Sequence, residues 1–426
     1  MGYCYERLKR VYHFLMAWAG SVWYGHPSRK LFVIGVTGTK GKSSTVEVLN
    51  AVLETAEKKT ALLGSVRKKI LYESTKGKTG NTMPGRFAIQ RFLHDAVCAG
   101  AEYAIIEVTS EGILQHRHRF IDWDAALFLN IAPEHIERHG SFENYRAAKV
   151  SFFKYLSRSR KPTKYFFVNE DDDNAGYFTE AARETKNGKL FPFSLGSLLQ
   201  EASLCGNDLR SAEGRRALNE WFVPDFNMVN AAAAWVFAKT QNIPWKTFMR
   251  ALWEFRGVPG RFEFIQREPF AVVIDYAHTP DSLEKAYSAV RPEEIFGKHG
   301  SLICVLGSAG GGRDKWKRPQ MGKIAAKKCE LLILTNEDPF DEDPAAIIDD
   351  IEAGFSRIPG AKFQISKNYW KILDRREAIQ KAISLAKEGD VVIMTGKGSE
   401  SSIRLAHGKK IPWNEREITE ELLHTK

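Results

Sequence analysis

The stretch from residue 31 to residue 53, LFVIGVTGTKGKSSTVEVLNAVL, has the residue types and spacing needed to bind a phosphate group. An apolar, β-branched run at 31–36 precedes apolar residues at helical spacing, so we predict a strand that leads into a helix. Two glycines between them let the backbone approach an anion, and the helix N-terminus adds unpaired N–H groups. Lys42 and Ser43 supply an ammonium group and a metal-ligating hydroxyl. The candidate nucleotide-binding residues are Thr37, Gly38, Thr39, Lys40, Gly41, Lys42, Ser43 and Ser44.

This loop differs from the standard P-loop spacing at one position. Val36 stands five residues before Gly41, where the usual pattern has glycine, so the sequence has the shorter form T-G-T-x-G-K-S. A glycine-rich turn without a ligand is the alternative, but packing alone does not explain Gly-Lys-Ser at the start of a helix. We therefore predict a nucleoside triphosphate as the ligand.

Length and charge narrow the class of protein. A chain of 426 residues is too long for one core and indicates two domains with a small additional segment. The formal charge is +10, but 62 basic residues are scattered among 52 acidic ones rather than gathered in a stripe. We therefore expect a soluble enzyme with an anionic small-molecule substrate and no nucleic-acid partner.

The cysteines and the N-terminus bear on the compartment. The five cysteines lie far apart without a C-x-x-C pair, so we expect neither a zinc site nor a disulfide framework, but reduced thiols in the cytoplasm. Basic residues at 9–10 before an apolar run at 14–23 resemble a signal peptide, but the run has no A-x-A cleavage site. It is too short to be a transmembrane segment. We expect a packed helix there, with a weak membrane-surface contact as the alternative.

The remaining chain alternates predicted strands and helices, which indicates an α/β fold. We predict a short helical segment at 1–30, a central P-loop ATP-binding domain at 31–258 and a Rossmann-like, doubly wound domain at 259–426. The punctuation Gly-Val-Pro-Gly-Arg at 257–261 marks the boundary. Residues 68–81 read as a loop, and residues 177–221 are the least legible. The glycine-rich stretch at 307–313 lacks dinucleotide-binding spacing.

Several further motifs occur in one order along the chain. They are YGHPSRKL, VIGVTGTKGKSST, EVTSEGILQHR, NIAPEHIERHGSFENYRAAK, PDFNMVNAAAA, GVPGRFE, DYAHTPDSLE, GGGRDKWKRPQMG and GKGSES. This set resembles the Mur ligases, and DYAHTPDSLE with GRDKWKRPQMG is similar to their tripeptide-forming branch. The resemblance implies an ATP-dependent amide ligase that uses ATP and Mg²⁺, with a muramoyl-peptide acceptor and an amino acid as small-molecule partners.

The resemblance also implies a magnesium site. Mg²⁺ prefers oxygen ligands with few protein contacts, which suits Ser43 and Glu107, a carboxylate at a predicted strand end. The family position of His135 also holds metal, although Glu134 stands where the family usually has Asp. Lys149 is an ordinary helix-surface lysine by its sequence chemistry, but it matches the family lysine that carbon dioxide carbamylates. The predicted catalytic residues are Lys42, Glu107, His135, Lys149 and Arg261.

Other positions are assigned by the same resemblance. The predicted ATP-contacting positions outside the loop are Asn227, Asn230, Arg261 and Asp275. The positions predicted to hold the muramoyl-peptide are Thr82, Ser110, Gln115 and Arg117. Those predicted near the incoming amino acid are Arg313, Glu337, Asp338, Lys397 and Glu400.

The incoming amino acid is predicted from one loop. Diaminopimelate-adding members have Asp-Asn-Pro-Arg there, and the arginine pairs with the second carboxylate of the substrate. Here Phe340 stands at the arginine position and acidic residues follow at 341–343, so we favour lysine or ornithine. An arginine from elsewhere, such as Arg313 or Arg404, would favour diaminopimelate instead.

Two other functions are compatible with a phosphate loop. One is a P-loop phosphotransferase or ATPase, and the other is a non-catalytic nucleotide-binding subunit. The family also places a UDP-binding domain ahead of the loop, whereas 30 residues precede Leu31 here. We therefore expect the nucleotide end of the acceptor to be held by a reduced handle that includes the first helix.

Overall fold

The computed structural model describes residues 2–76, 82–134, 136–356 and 363–425, without the side chains of residues 2–7, 9 and 10. The chain forms two compact units. The first contains Met1–Pro133 and His139–Arg256, and the second contains Glu134–Arg138 and Gly257–Lys426. The α/β fold predicted from the alternating pattern is confirmed in both units.

The first unit is built on an eight-stranded sheet of order β4-β3-β2-β5-β1-β6-β7-β8. Its strands are β1 (Phe32–Thr37), β2 (Thr60–Leu63), β3 (Arg67–Ile70), β4 (Glu73–Lys76), β5 (Tyr103–Glu107), β6 (Ala125–Phe128), β7 (Lys164–Asn169) and β8 (Gly188–Phe193). The helices of this part of the chain are α1 (Gly2–Trp23), α2 (Lys42–Thr55), α3 (Arg86–Cys98), α4 (Ser110–Leu114), α5 (Ile136–His139), α6 (Phe142–Tyr155), α7 (Ala175–Arg183), α8 (Leu195–Leu204), α9 (Ala212–Leu218), α10 (Asp225–Thr240) and α11 (Trp245–Glu254).

The strand that precedes the phosphate loop lies inside this sheet. β1 pairs in parallel with β5 on one side and β6 on the other, with Val36 opposite both Glu107 and Leu127. These strands are buried on both faces, which explains their continuous apolar sequences. Because parallel strands end at the same edge, the sheet brings the phosphate loop and Glu107 together.

The second unit contains a six-stranded sheet of order β13-β12-β11-β14-β10-β9. Its strands are β9 (Glu263–Gln266), β10 (Ala271–Asp275), β11 (Leu302–Leu306), β12 (Leu331–Leu334), β13 (Tyr369–Lys371) and β14 (Val391–Thr395), and β15 (Ser402–Arg404) and β16 (Lys410–Pro412) form a separate pair. Its helices are α12 (Pro280–Ala289), α13 (Pro292–Phe296), α14 (Lys317–Lys328), α15 (Pro344–Glu352), α16 (Arg375–Leu385) and α17 (Glu415–His424). The six-stranded sheet is parallel except for the antiparallel edge strand β9.

The structure corrects two expectations. Residues 68–76 belong largely to the antiparallel strands β3 and β4 rather than to a loop, while 77–81 lie outside the described residues. Cys304 and Cys329 form a disulfide, so the expectation that every cysteine is a free thiol was wrong. Cys304 lies in β11 and Cys329 just before the neighbouring β12, and this pairing of strands brings together two residues 25 apart in sequence.

The first helix packs on one side only. Ala17 and Ser21 are buried, and Phe14 meets the ring of Phe120 with centroids 5.0 Å apart. The opposite side exposes the apolar side chains of Leu8, Val11, Leu15, Trp18 and Val22. Over the ranges that the structure describes, no helix combines the length and apolar content required to cross a bilayer.

Candidate active site

The phosphate loop connects β1 to α2. Gly41 has a φ of 83°, and a side-chain carbon added there would lie 2.7 Å from Asn230 Oδ1, so only glycine fits. Lys42 Nζ donates hydrogen bonds of 2.9 Å to the carbonyl oxygens of both Gly38 and Thr39. The ammonium group therefore lies over the loop that it is predicted to serve. The Oγ1 of Thr37 is buried, and the described residues give it no hydrogen-bond partner.

An oxygen cluster lies beside this loop. Ser43 Oγ is 2.8 Å from Ser65 Oγ, and the backbone N–H of Ser65 donates to Glu107 Oε1 at 2.7 Å. A side chain at Gly64 would approach Glu107 Oε1 to 2.5 Å, so glycine is required there as well. Two hydroxyls and a carboxylate are hard oxygen donors of the kind that Mg²⁺ prefers, so these residues fit a magnesium ion.

Sequence reasoning missed Ser65. The only signal was its place at the end of a predicted strand, because side chains at that edge converge on the ligand. The predicted metal ligand His135 lies outside the described residues. Within the ranges that are described, no three His, Cys, Asp or Glu side chains are grouped to hold a metal ion.

Lys149 is buried, in contrast to the surface lysine that its sequence chemistry suggests. Its Nζ donates to the carbonyl oxygen of Gly38 at 2.8 Å and lies 4.9 Å from the ring centroid of Tyr145. The sequence pattern missed this because α6 turns Tyr145, Phe152 and Phe153 inward, and Lys149 shares that face. The amines of Lys149 and Lys42 thus both bond to Gly38 O.

The two asparagines of α10 lie against the same loop. Asn230 Oδ1 accepts a hydrogen bond of 3.0 Å from Thr45 Oγ1, and Asn227 Nδ2 donates to Trp221 O at 2.7 Å. Both asparagines are buried. They fix α10 against α2, and their role toward adenine stays a prediction.

The residues predicted to hold the acceptor lie around α4. Ser110 Oγ is 3.2 Å from His139 Nε2. Arg117 donates to Gln115 Oε1, at 2.7 Å from Nη2, and to the carbonyl oxygen of Met83, the residue after Thr82. Burial lowers the pKa of Arg117 from its usual value. The tertiary fold therefore groups Gln115 and Arg117 with the backbone beside Thr82.

In the second unit, the positions predicted to bind the amino acid form an ionic cluster. Lys397 is fully buried, and its Nζ lies 2.8 Å from Asp338 Oδ1 and 2.6 Å from Glu400 Oε2. Burial acts to raise the pKa of Glu400, but the charge and hydrogen bond of Lys397 outweigh it and leave that pKa low. Burial raises the pKa of Glu337, whose Oε2 has no hydrogen-bond partner among the described residues.

Arg375 positions this cluster and was not anticipated. It pairs with buried Glu415 and donates to the carbonyl oxygens of Asn336, at 3.2 Å, and Thr395, at 2.9 Å. These two residues follow β12 and end β14, so Arg375 fixes the two strand ends next to Asp338 and Lys397. Its sequence signal was only that of an arginine in the first turn of a helix.

The remaining predicted residues lie in two places in this unit. The guanidinium groups of Arg313 and Arg404 lie 5.4 and 5.7 Å from the ring centroid of Phe340. Arg261 lies 4.0 Å from the ring of Tyr276. Asp275 accepts the backbone N–H of Phe262 and that of Ala277, both at 2.8 Å, so it shapes the exit of β10. Its predicted contact with ribose stays a prediction.

Comparisons with known proteins give the same class. The family profile described as "Mur ligase middle domain" matches residues 36–238, and "Mur ligase, glutamate ligase domain" matches residues 260–398. The UDP-N-acetylmuramoyl-L-alanyl-D-glutamate–2,6-diaminopimelate ligase of Syntrophomonas wolfei is 36% identical over 413 residues, 95% of this chain and 80% of that protein. The UDP-N-acetylmuramyl-tripeptide synthetase of Roseiflexus sp. is 35% identical over 415 residues, 93% of this chain and 79% of its own length.

Solved structures share the fold. A structure of a UDP-N-acetylmuramoyl-L-alanyl-D-glutamate–2,6-diaminopimelate ligase matches with a TM-score of 0.56 at 26% identity, covering 93% of this chain and 78% of the other. The folylpolyglutamate synthase of Mycobacterium tuberculosis, solved with ADP and AMPPCP, matches with a TM-score of 0.65 at 13% identity, covering 90% and 92%, and shows the fold alone.

A phosphate loop in one α/β unit, followed by a second α/β unit and supported by these relatives, defines an ATP-dependent, ADP-forming acid–amino-acid ligase. The chain belongs to the Mur ligase family and acts in the synthesis of peptidoglycan precursors.

Proposed function

We propose that the protein joins a diamino acid to the carboxylate of a muramoyl-dipeptide acceptor. The observation that carries the proposal is the convergence on the phosphate loop, where Lys42 and Lys149 both bond to Gly38 O beside Ser43 and Glu107. Two amines and a set of oxygen donors at one loop suit the transfer of a highly charged phosphoryl group.

The proposed reaction has two steps. The γ-phosphoryl group of ATP passes to the acceptor carboxylate and gives an acyl phosphate with release of ADP. The amine of the incoming amino acid then attacks the acyl carbon, and the tetrahedral intermediate expels phosphate as the amide forms. Lys42 and Arg261 neutralise charge on the transferring group, so no side-chain nucleophile is required.

A magnesium ion held by Ser43 and Glu107, with Lys149 as a carbamate, would supply further neutralisation of phosphate charge. Ser65 keeps Glu107 oriented toward Ser43 through its backbone N–H and its hydroxyl. The buried position of Lys149 also excludes water from the reacting groups.

Two observations favour diaminopimelate over lysine as the amino acid. The arginine that relatives carry at the Phe340 position has two candidate substitutes, because Arg313 and Arg404 both lie against the Phe340 ring. A guanidinium there can pair with a second carboxylate. The relatives named above as diaminopimelate ligases agree with this choice.

The acidic residues that favoured lysine in the sequence already have partners. Asp341 accepts the N–H of His407, and Asp343 caps α15. Glu342 pairs with Lys315 at 3.1 Å and with Arg318 at 3.0 Å. Carboxylates neutralised in this way attract a cationic substrate weakly. Lysine remains the second candidate on the aromatic character of Phe340.

ADP release, measured with and without each organic substrate, tests the reaction. We expect release only when both muramoyl-dipeptide and the amino acid are present. Release without the amine would indicate an ATPase or phosphotransferase, and no release under any condition would indicate a non-catalytic nucleotide-binding subunit.

A further inference from the structure

A cleft on the first unit belongs to none of the sites above. It has a volume of about 350 Å³ and lies between the loop that follows α4 and the C-terminal end of α6. Its wall includes Ile113, Leu114 and Tyr155. Three cationic side chains, those of Arg119, Lys154 and Arg158, line it as well, and none of the described residues that line it is acidic.

The positive charge of this cleft is poorly compensated. Burial lowers the pKa of Arg119, and the nearby charge of Arg158 lowers it further. The Nε of Arg119 is buried, and the described residues offer it no hydrogen-bond partner. Lys154 has only a solvent-exposed pairing with Glu184, at 3.5 Å. Such a surface is suited to an anion, since an anion would supply the missing charge and hydrogen bonds.

A buried histidine adds a second indication of a ligand. His118 lines the cleft, is 4% exposed, and has an Nδ1 atom with no partner in the described part of the chain. Burial, together with the charge of Arg119, lowers its pKa to about 3, so the ring is neutral at physiological pH. A buried polar atom without a partner costs about 1–3 kcal/mol, which a ligand atom can relieve.

The cleft adjoins the predicted acceptor site through one loop. Gln115 and Arg117 bond to each other and toward Met83, whereas His116 and His118, which alternate with them in sequence, line the cleft. A ligand held by Gln115 and Arg117 therefore needs to cross only this loop to reach Arg119 and Arg158.

We propose that this cleft binds the nucleoside diphosphate end of the acceptor, with Arg119 and Arg158 contacting the phosphates and the apolar wall contacting the nucleoside. This inference rests on the proposed function for the identity of the acceptor, and it adds that the acceptor carries a nucleotide. The size of the cleft falls within the range of small-molecule sites, and its few polar groups on an apolar wall are typical of them.

Calorimetric titration of the full chain tests the binding site directly. UDP, pyrophosphate and orthophosphate are titrated into protein saturated with Mg·ADP, so that the phosphate loop is already filled. We expect UDP to bind, and Arg158→Ala and Arg119→Ala each to weaken it about tenfold. Arg158 is exposed, so its variant folds without loss of core packing, and Arg210→Ala, at another exposed arginine of the same unit, is the matched control. Absent binding, binding that survives both substitutions, or orthophosphate binding as tight as that of UDP would overturn the proposal.

Steady-state kinetics separate this proposal from the proposed function. For UDP-muramoyl-dipeptide, Arg158→Ala should raise KM about tenfold and leave kcat unchanged, while the nucleotide-free acceptor should show no change. UDP binding in the cleft without turnover of any muramoyl substrate would retain the cleft and reject the proposed function. Turnover with equal kcat/KM for both acceptors, together with no UDP binding, would reject the cleft and retain the ligase.

Discussion

The backbone N–H of Ser65 donates a 2.7 Å hydrogen bond to Oε1 of Glu107, and the Ser65 hydroxyl lies 2.8 Å from that of Ser43. One serine after β2 thereby links a residue of the phosphate loop to a carboxylate at the end of β5. The three residues come from separate segments, and the parallel order of the strands is what joins them.

Substitutions in this cluster should change the response to magnesium. Ser65→Ala keeps the backbone hydrogen bond but loses the hydroxyl, so we expect a roughly fivefold weaker apparent Mg²⁺ affinity, about 1 kcal/mol. Glu107→Gln removes the carboxylate and should reduce activity by about 100-fold or more. Magnesium titrations of ADP release measure both, with Ser203→Ala on the exposed part of α8 as the control. Equal Mg²⁺ affinity in all three variants would contradict this role.

Lys42→Ala should abolish ADP formation and leave the fold intact. The ammonium group bonds only to loop carbonyls in this structure, among the hydrogen bonds described for it, so its loss should matter mainly when phosphate is present. We expect at least a 100-fold fall in kcat and a thermal midpoint within a few degrees of the wild type. A variant that turns over as the wild type does would rule out the ligase mechanism.

The proposed carbamate on Lys149 can be detected spectroscopically. The wild type incubated with ¹³C-labelled bicarbonate should give a carbamate carbon resonance that Lys149→Ala lacks. The same variant should lose activity and recover part of it when a small carboxylate such as acetate is added, because the carboxylate replaces the missing anion. A wild-type spectrum without that resonance would count against the carbamate.

The choice of amino acid depends on Arg313 and Arg404. In competition between diaminopimelate and lysine, we expect the wild type to prefer diaminopimelate, and Arg404→Ala to reduce that preference by about tenfold, since a charge-assisted hydrogen bond is lost. Arg416→Ala, at an exposed arginine of the same unit, serves as the control. A clear preference for lysine in the wild type would instead support the interpretation drawn from the acidic loop.

His118 should make stability depend on pH. Its pKa is lowered from 6.5 to about 3 in the folded protein, first by burial. Below pH 6.5 the unfolded chain takes up a proton that the folded chain refuses, so stability is lost as pH falls from 6.5 toward 3. The contribution of this group is at most about 1.4 kcal/mol per pH unit. Denaturant unfolding should show a shallower loss in His118→Gln, and an unchanged slope would assign the pH dependence to other groups.

The sequence by itself determined the phosphate loop and the succession of strands and helices. These features depend on local order, because glycines, a helix start and apolar periodicity are read within one stretch of chain. The motifs further along supplied the family, and with it the expectation that Glu107 and Lys149 act at the loop. Their roles there remain proposals, although the fold brings both residues to it.

Only the tertiary structure decided which distant residues meet. The burial of Lys149 follows from how α6 packs, and the pairing of Cys304 with Cys329 follows from which strands are neighbours. Ser65, Arg375 and the basic cleft beside His118 carry no local signal, since an isolated serine, arginine or histidine is common in any sequence. Their significance arises from long-range sheet order and helix packing, which bring together side chains that are far apart along the chain.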